Sequence, residues 1–423
     1  MLIKGARLLD PSRHLDAVMD LRVKEGRIFE TGDLLPLPGE EVLDAKGACL
    51  APGLIDVHVH FRDPGFLEKE DLFSGSAAAL RGGYTRVVCM GNTNPPPDCP
   101  ERVEAFLQRA KEAPIHIHTV GTLTKNIQGE ELTDLEGLVA AGAVGFSDDG
   151  WPLLSRDLLL EAMNRAKALG VPISLHEEDP TLITLPGIDD CPYAREHLAG
   201  CAPRLAEELM VARDLFLAKE TGARIAIQHI STQGAMELVA LGKRLGIDVE
   251  AEATPHHFCL NHQDFDEKPH IPKTFLKMNP PLRSPRDMVA LREHLAQGSV
   301  GIIATDHAPH TEREKEREFM KAPSGITGLE TALSLAIEVL HRRHGMDLLP
   351  LMDRMSRRPA EFWNLPGGSL KVGEIADLLL FDPDAEVVYD DFASKGKNSP
   401  FRGMPLHGKV LLTMVEGKIL YRA

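Results

Sequence analysis

Short apolar runs alternate with longer amphipathic segments through the middle of the chain. Eight runs rich in β-forming residues are GLIDVHV, TRVVCMG, IHIHTVG, AVGFS, VPISLH, RIAIQHI, IDVEAEA and VGIIATD. Between them lie helical candidates such as ERVEAFLQRAKE, LAEELMVARDLFLAKE and AMELVALGKRL. This alternation predicts an α/β fold with eight βα units, a (β/α)8 TIM-like barrel whose active site lies at the C-terminal ends of the strands. A doubly wound open sheet is the alternative, but the glycine-rich phosphate-binding fingerprints of that class are absent.

The two chain ends have a different sequence pattern from the middle of the chain. Residues 1–51 and 366–423 both consist of short β-prone runs separated by turns, and neither contains a long amphipathic helix. We therefore expect both ends to meet in one small β-sandwich domain. The barrel, residues 52–365, is then inserted between them.

Charge and composition narrow the classes of partner. The 423 residues carry a formal net charge of -16, which disfavours nucleic acid or an anionic membrane and means that an anionic substrate needs a locally positive pocket. We expect no membrane association, because no apolar run approaches membrane-spanning length, and without a charged and apolar leader we predict a cytoplasmic protein. The six cysteines have no CxxC spacing and predict reduced thiols.

Polar side chains recur at the end of one predicted strand after another. They are His58, His60, Asn92, Asp148, Asp149, His176, His229 and Asp306. Residues two apart on a strand point the same way, so His58 and His60 can present two imidazoles to one ion, with Arg62 next on that face. Imidazole and carboxylate are suitable zinc ligands, and a carboxylate at the fourth strand could bridge two ions. Strand parity leaves open whether Asp148 or Asp149 is that carboxylate.

Several motifs together resemble the amidohydrolase superfamily, and within it the type I dihydroorotases. They are HVHFRDPG, GNTNP, GFSDDG, TPHH, IATDHAPH and GGSLKVGEIADLLLFD, which span essentially the whole chain. The resemblance implies two Zn²⁺ ions, one held by His58, His60 and Asp306 and the other by His176 and His229. Asp149 resembles the bridging carboxylate, in the subgroup that uses aspartate where other members have a carbamylated lysine.

The same resemblance implies reversible hydrolysis of (S)-dihydroorotate to N-carbamoyl-L-aspartate, a step of pyrimidine synthesis. A hydroxide between the metals would be the nucleophile, and Asp306 would be the general acid and base. Arg62, Asn92 and His310 resemble a clamp for the substrate carboxylate. Asn279, Ser324 and Gly325 resemble groups that contact the pyrimidine ring, and His60 also borders the substrate.

Two alternative functions remain at this stage. One is another cyclic amidohydrolase, such as a hydantoinase, dihydropyrimidinase or allantoinase, whose substrates do not require the same carboxylate clamp. The other is a non-catalytic scaffold that binds aspartate transcarbamoylase. Every proposed ligand is present, which favours an active enzyme. We expect a homo-oligomer, and association of the active enzyme with that transferase stays open.

Other polar residues have less specific interpretations. His116 and His118 lie toward the start of the third strand and predict a structural pair, and His307 is expected to brace the loop after Asp306. His256 and His257 fit either the pocket or packing, while Glu177 and Glu178 either orient His176 or lie in solvent. The run EREKEREFMK, residues 312–321, predicts a solvated helix, with a mobile loop as the alternative.

Overall fold

The computed structural model describes all 423 residues and contains fifteen strands. Their bounds are β1 Leu2–Asp10, β2 Leu15–Lys24, β3 Arg27–Gly32, β4 Val42–Asp44, β5 Cys49–Pro52, β6 Leu54–Val59, β7 Tyr84–Cys89, β8 His116–Thr119, β9 Ile173–Leu175, β10 Ile225–Ile227, β11 Val249–Ala253, β12 Ile302–Ile303, β13 Leu378–Val388, β14 Pro405–Val415 and β15 Lys418–Arg422.

The helices lie mainly between the central strands, as the amphipathic segments predict. The α-helices are α1 Leu72–Arg81, α2 Pro100–Ala110, α3 Leu135–Ala140, α4 Arg156–Leu169, α5 Pro192–His197, α6 Arg204–Thr221, α7 Gln233–Arg244, α8 Pro255–Cys259, α9 Asp264–Glu267, α10 Pro285–Gln297, α11 Glu312–Lys315, α12 Ala332–Ala336, α13 Leu348–Met352 and α14 Arg358–Phe362. Short 3₁₀ turns cover Pro11–Arg13, Lys125–Ile127 and Lys273–Leu276, and π-helical turns cover Ile337–Arg343 and Asp353–Arg357.

The central strands form a closed parallel barrel in two arcs. Strands β6, β7 and β8 pair in that order, and β9, β10, β11 and β12 form the second arc. Single parallel bridges close the gaps, Val59 with His307 on one side and Phe146 with both Gly121 and Ile173 on the other. The carboxyl ends of all these segments therefore meet at one face.

The fourth predicted strand, AVGFS, is shorter than expected. Only Phe146 forms bridges, and it also hydrogen-bonds to the fifth segment, whereas its neighbours hydrogen-bond to the third. Gly145 explains part of the departure, because a Cβ there would lie 2.8 Å from the carbonyl oxygen of Pro172 and from the Trp363 ring. The backbone passes too close to its neighbours for a regular run of side chains.

Both chain ends contribute to one eight-stranded sheet, in the order β15-β14-β13-β5-β1-β2-β3, with β4 beside β1. Alternation along β13 sends Leu378 and Leu380 into a small core within this sheet, whereas Leu379 and Phe381 pack in the main core with the barrel. The predicted fold class, a TIM-like barrel plus a small β domain built from both ends, is confirmed. The division at residues 51/52 and 365/366 stays a prediction.

None of the helices has the length and apolar character needed to cross a membrane. The solvated helix predicted for residues 312–321 is wrong beyond its first turn, because α11 ends at Lys315 and that residue is buried. Its burial depends on distant segments of the chain, which a local charge pattern does not reveal.

Candidate active site

A cavity of about 260 Å³ opens at the carboxyl ends of the barrel strands. His60 directly follows β6, His176 directly follows β9, and Asp306 lies three residues past β12. The cavity is lined by His60, Arg62, Asn92, Asp149, Gly150, His176, His229, Asn279, Asp306, Ala308, His310, Ser324 and Gly325. All the residues singled out as ligands or substrate contacts border this cavity, except His58, which lies beneath it.

His58, His60 and Asp306 form one compact group of potential ligands. Asp306 Oδ1 lies 2.9 Å from His60 Nε2 and 3.6 Å from His58 Nε2. One ligand atom from each residue falls within 4.8 Å of the others, and all three side chains are buried. This spacing suits a single cation among the three donors.

Asp149 faces the histidines, and Asp148 faces away from them. The carboxylate of Asp149 lies 3.5 Å from His58 Nε2, 3.6 Å from His60 Nε2 and 3.8 Å from His176 Nδ1. Asp148 instead accepts hydrogen bonds from the backbone N–H groups of Leu123 and Thr124. Of the two neighbours, Asp149 is therefore the one placed between the predicted halves of the metal site.

The electrostatics keep Asp149 ionised. Burial opposes its charge, but the adjacent His58 and the other nearby histidines hold the pKa of Asp149 well below its usual range. Asn92 also donates to Asp149 Oδ2 at 2.8 Å, and its Oδ1 lies 2.8 Å from His60 Nδ1. The amide thus links a histidine to the central carboxylate and still has one N–H for another acceptor.

His176 and His229 complete the far side of the cluster. His176 Nδ1 lies 3.1 Å from His229 Nε2, and His176 Nε2 lies 3.1 Å from Glu178 Oε2. Glu178 is buried, so it orients the imidazole instead of lying in solvent. Both carboxylate oxygens of neighbouring Glu177 are buried without a hydrogen-bond partner, and it does not contact His176.

Glu252 is a site residue that the sequence did not indicate. It lies within β11, fully buried, with Oε2 at 3.0 Å from His58 Nδ1. A hydrogen bond at Nδ1 directs the other ring nitrogen of His58 into the cluster. The only signal available was a buried-strand pattern, VEAEA, with acidic residues at alternate positions.

The surroundings of His58 Nε2 show whether this arrangement suits a metal ion. The atom is buried without a hydrogen-bond partner, and it faces oxygens of both Asp149 and Asp306. Burial opposes protonation, yet Asp149 and Glu252 raise the pKa of His58 well above its usual value, so the cluster attracts positive charge at this nitrogen. Four imidazoles and two carboxylates around such a point are a donor set that fits divalent metal ions.

A positively charged wall lies beside the cluster. Arg62 is half-buried, forms no ion pair, and makes only long contacts, 3.4 Å to the Pro309 carbonyl oxygen and 3.5 Å to His310 Nε2. His310 Nε2 donates to the Ser324 carbonyl oxygen at 2.8 Å, and Ser324 Oγ donates to Asn279 Oδ1 at 3.1 Å. Burial, together with the charge of Arg62, lowers the pKa of His310 well below its usual value. The pocket therefore combines a free guanidinium with a neutral imidazole.

Backbone geometry at the site departs from the ordinary regions. Arg62, His229 and Asp306 have φ values of 59°, 28° and 48°, which non-glycine residues rarely adopt. Gly325 has φ 108°, and a Cβ there would lie 2.6 Å from the Cβ of Ala308. Such departures cluster where the surrounding fold fixes side chains for function.

The remaining histidines have structural contacts. His116 lies 3.0 Å from Asp377, and His118 Nε2 lies 2.7 Å from Arg86, at the opposite end of the barrel. His257 bonds to Thr254 and to the Pro280 carbonyl oxygen, while His256 is buried without a partner. His307 Nδ1 accepts backbone N–H bonds from Gly328 and Leu329, so it braces the loop after Asp306.

Comparison with known proteins agrees with this geometry. The model of the amidohydrolase family matches residues 49–420. A dihydroorotase from Clostridioides difficile (strain 630) is 46% identical over 424 residues, covering 100% of both chains. Another, from Streptococcus pneumoniae serotype 4, is 44% identical over 426 residues with the same coverage.

The chain belongs to the dihydroorotase branch of the amidohydrolase family. Among solved structures, the L-hydantoinase (dihydropyrimidinase) from Arthrobacter aurescens is similar with a TM-score of 0.88 and 28% identity, covering 100% of this chain and 96% of that chain. The family is metal-dependent, and its dihydroorotases and hydantoinases hydrolyse cyclic amides, so the fold and the donor cluster both agree with the assignment. The fold is shared with hydantoinases, whereas the full-length identity is higher with the dihydroorotases.

Proposed function

We propose that the cavity catalyses the reversible hydrolysis of (S)-dihydroorotate to N-carbamoyl-L-aspartate, a step of pyrimidine biosynthesis. The observation that carries this proposal is the unpaired Arg62 beside the histidine and aspartate cluster in one small cavity. The cluster suits hydrolysis of a cyclic amide, and the guanidinium suits the carboxylate that distinguishes dihydroorotate from uncharged rings. The membership in the dihydroorotase branch supports the same substrate.

We assign the metal ligands to His58, His60, Asp149, His176, His229 and Asp306. The proposed ions are two Zn²⁺, with His58, His60 and Asp306 at one, His176 and His229 at the other, and Asp149 between them. The imidazole-rich donor set favours zinc over magnesium or calcium. When bound at such a site, zinc supplies Lewis acidity and lowers the pKa of a coordinated water. Metal analysis of protein purified from defined medium would test both the identity and the stoichiometry.

The chain's own residues then bind and orient the ring. Arg62 would pair with the substrate carboxylate through its planar fork, assisted by the free N–H of Asn92, and His310 would border the same carboxylate. Asn279, Ser324 and Gly325 also line the cavity and would contact the ring amides. This arrangement would place the scissile carbonyl against the donor cluster, with His60 at its border.

Asp306 is proposed as the general acid and base. Its carboxylate borders both the cavity and the histidines. In ring opening, water adds to the amide carbon, the C–N bond breaks, and Asp306 would carry the proton from the water to the departing ring nitrogen. In ring closure, the same carboxylate would take a proton from the carbamoyl nitrogen.

The test is ring opening of L-dihydroorotate, followed as loss of ultraviolet absorbance. Zinc-loaded protein, chelator-stripped protein and Arg62→Ala would be compared. Hydantoin, dihydrouracil and allantoin would be assayed in parallel as uncharged alternative substrates. Turnover of dihydroorotate that depends on metal and falls about a hundredfold in kcat/KM with Arg62→Ala is the expected result. Activity only on an uncharged ring would favour a hydantoinase, the second candidate, which the similarity to the Arthrobacter enzyme supports.

We further propose a homo-oligomer, supported by an apolar stripe on α6. Leu205, Leu209 and Phe216 are 49–62% exposed and recur on one face of the helix. Two chains that each carry -16 would repel one another, so they would associate best through such an uncharged surface. Light scattering of the native protein and of Leu209→Glu would test this, and an unchanged mass would contradict it.

The last proposals concern cellular context. Aspartate transcarbamoylase makes carbamoylated aspartate, which ring closure consumes, so association between the two enzymes would link successive steps. Pull-down with that transferase would test it. All six cysteines are free thiols, which supports a reducing compartment, and we propose the cytoplasm.

A further inference from the structure

Two buried lysines lie beneath the segment that returns to the pocket after α11. Lys315 and Lys277 are 2% and 4% exposed, and neither forms an ion pair with a carboxylate. A buried ammonium without an opposite charge is costly unless it is fully hydrogen-bonded. The hydrogen-bond acceptors of the two ammonium groups therefore show which parts of the chain these lysines hold.

Lys315 bonds to the backbone on both sides of Ser324. Its Nζ donates to the carbonyl oxygen of Pro323 at 2.9 Å and to that of Gly325 at 3.0 Å. The carbonyl group between them, that of Ser324, points to His310 Nε2 at 2.8 Å. One ammonium thus fixes the two peptide groups that flank a residue of the pocket wall.

Lys277 anchors the same segment from a second direction. Its Nζ donates to the carbonyl oxygens of Phe319 and Ala322, both at 2.8 Å, and its own carbonyl oxygen accepts the Gly325 N–H at 2.9 Å. Residues 316–318, 320 and 321 are exposed. The segment therefore crosses the surface and is attached to the interior through these two lysines.

We propose that Lys315 is a positioning residue for substrate binding, which holds the peptide groups around Ser324 and so sets the wall of the cavity that faces the pyrimidine ring. This inference rests on the proposed function. Ser324 contacts both His310 and Asn279, so a shift of this turn would displace three of the residues assigned to the substrate. The metal ligands and Asp306 lie outside this network.

The free-energy cost of burying Lys315 also favours a positioning role over a purely stabilising one. Burial, and next the charge of Lys277, lower the pKa of Lys315 to about 7. The protonated form is thus disfavoured in the folded protein, so stability is lost as the pH falls from about 10.5 to about 7, and the buried side chain opposes folding at neutral pH. The side chain is nevertheless placed where its N–H donors fix the turn of the pocket.

The test compares Lys315→Met with Lys321→Met, both by steady-state kinetics on L-dihydroorotate with zinc-loaded protein. Lys321 lies on the same segment but is exposed and pairs only with Glu318. For Lys315→Met we expect KM to rise about tenfold while kcat changes less than about threefold, because binding contacts are lost and the reacting groups are not. Lys321→Met should match the unsubstituted protein.

Amide hydrogen exchange supplies a readout that needs no activity. The Gly325 N–H, bonded to Lys277, should exchange faster in Lys315→Met and remain protected in Lys321→Met. Lys315→Gln, which keeps two N–H donors on a shorter side chain, should recover part of both effects. It also replaces Lys315→Met if that variant does not fold.

The outcomes separate the two proposals. If the unsubstituted protein is inactive on dihydroorotate, the proposed function fails, and exchange alone then decides whether Lys315 fixes the turn. If the protein is active and Lys315→Met keeps the unsubstituted KM, or loses kcat with KM unchanged, the positioning role is overturned. Equal effects of the two methionine variants would overturn it as well.

Discussion

His58 Nδ1 lies 3.0 Å from Glu252 Oε2, and neither side chain is accessible to solvent. Glu252 comes from β11, nearly two hundred residues after His58. The contact determines which ring nitrogen of His58 faces Asp149 and Asp306. It therefore couples the orientation of one proposed ligand to a carboxylate that is not itself in the cavity.

We predict that Glu252→Gln weakens zinc binding by about 10- to 100-fold, because the imidazole loses a charged partner that fixes its orientation and increases its basicity. Competition with a chromogenic chelator would measure the affinity. Glu250→Gln is the matched control, since Glu250 lies on the same strand but pairs with Lys243 and Arg358. Equal zinc affinities for the two variants would contradict the coupling.

The neighbouring aspartates provide a second test. We expect Asp149→Asn to lower the zinc content and to reduce kcat/KM by about a hundredfold or more, since Asp149 faces three histidines. Asp148→Asn should retain zinc and lose about 1 kcal/mol of unfolding free energy, because its carboxylate accepts from the Leu123 and Thr124 amides and the Thr124 hydroxyl and does not face the histidines. Metal analysis and denaturant unfolding would distinguish the two variants. If Asp148→Asn lost zinc and Asp149→Asn retained it, Asp148 would be the bridging carboxylate.

A third prediction concerns the loop that carries Arg62. The two terminal guanidinium nitrogens of Arg109 each lie 2.6 Å from an oxygen of the Asp63 carboxylate, which is 1% exposed. Since Arg62 itself makes only long contacts, this pair on the adjacent residue fixes the backbone from which Arg62 projects. Arg109→Gln should raise KM for dihydroorotate about threefold to tenfold, with a smaller effect on kcat.

The control for this change is Arg165→Gln. Arg165 on α4 also pairs with a carboxylate, that of Glu136 on α3, but neither residue lines the cavity. It should leave KM unchanged. A KM for Arg109→Gln that equals that of the control would mean that Arg62 is positioned by other contacts.

Sequence reasoning located most of the site because of two regularities. Alternation predicts that His58, His60 and Arg62 share one face, and parallel strands present their carboxyl ends at one edge. In the structure β6 ends at Val59, and Arg62 lines the cavity from a left-handed backbone beyond the strand. His176, His229 and Asp306 follow from the second rule. The sequence could not predict features that depend on contacts between distant segments, such as Glu252 against His58 or Arg109 against Asp63.

Local sequence patterns gave wrong structural predictions where tertiary contacts override them. The charged run 312–321 has the composition of an exposed helix, yet Lys315 is buried because carbonyl groups of residues 323 and 325 surround it. The left-handed backbone at Arg62 and Asp306 has no signal in residues that ordinarily avoid it. The fourth strand shortened to a bridge at Phe146 for a similar reason, namely the close approach of Pro172 and Trp363 to Gly145.

The fourth prediction concerns acid stability at the opposite end of the barrel. His118 Nε2 accepts a hydrogen bond from the buried Arg86 guanidinium at 2.7 Å. Burial, then the charge of Arg86 and that of His116, lower the pKa of His118 from 6.5 to about 3. Between these values the unfolded chain binds a proton that the folded protein does not, so stability is lost as the pH falls from about 6.5 toward 3.

Replacing His118 with Gln should therefore remove part of this acid sensitivity. Relative to His118→Gln, the unsubstituted protein should lose about 1–2 kcal/mol of unfolding free energy between pH 7 and pH 5, because each pH unit within the window contributes about 1.4 kcal/mol before solvent screening. Urea unfolding at both pH values would measure the difference. His344→Gln, at an exposed position, is the control. If the two variants had the same pH dependence, His118 would have to be protonated in the folded protein despite its contact with Arg86.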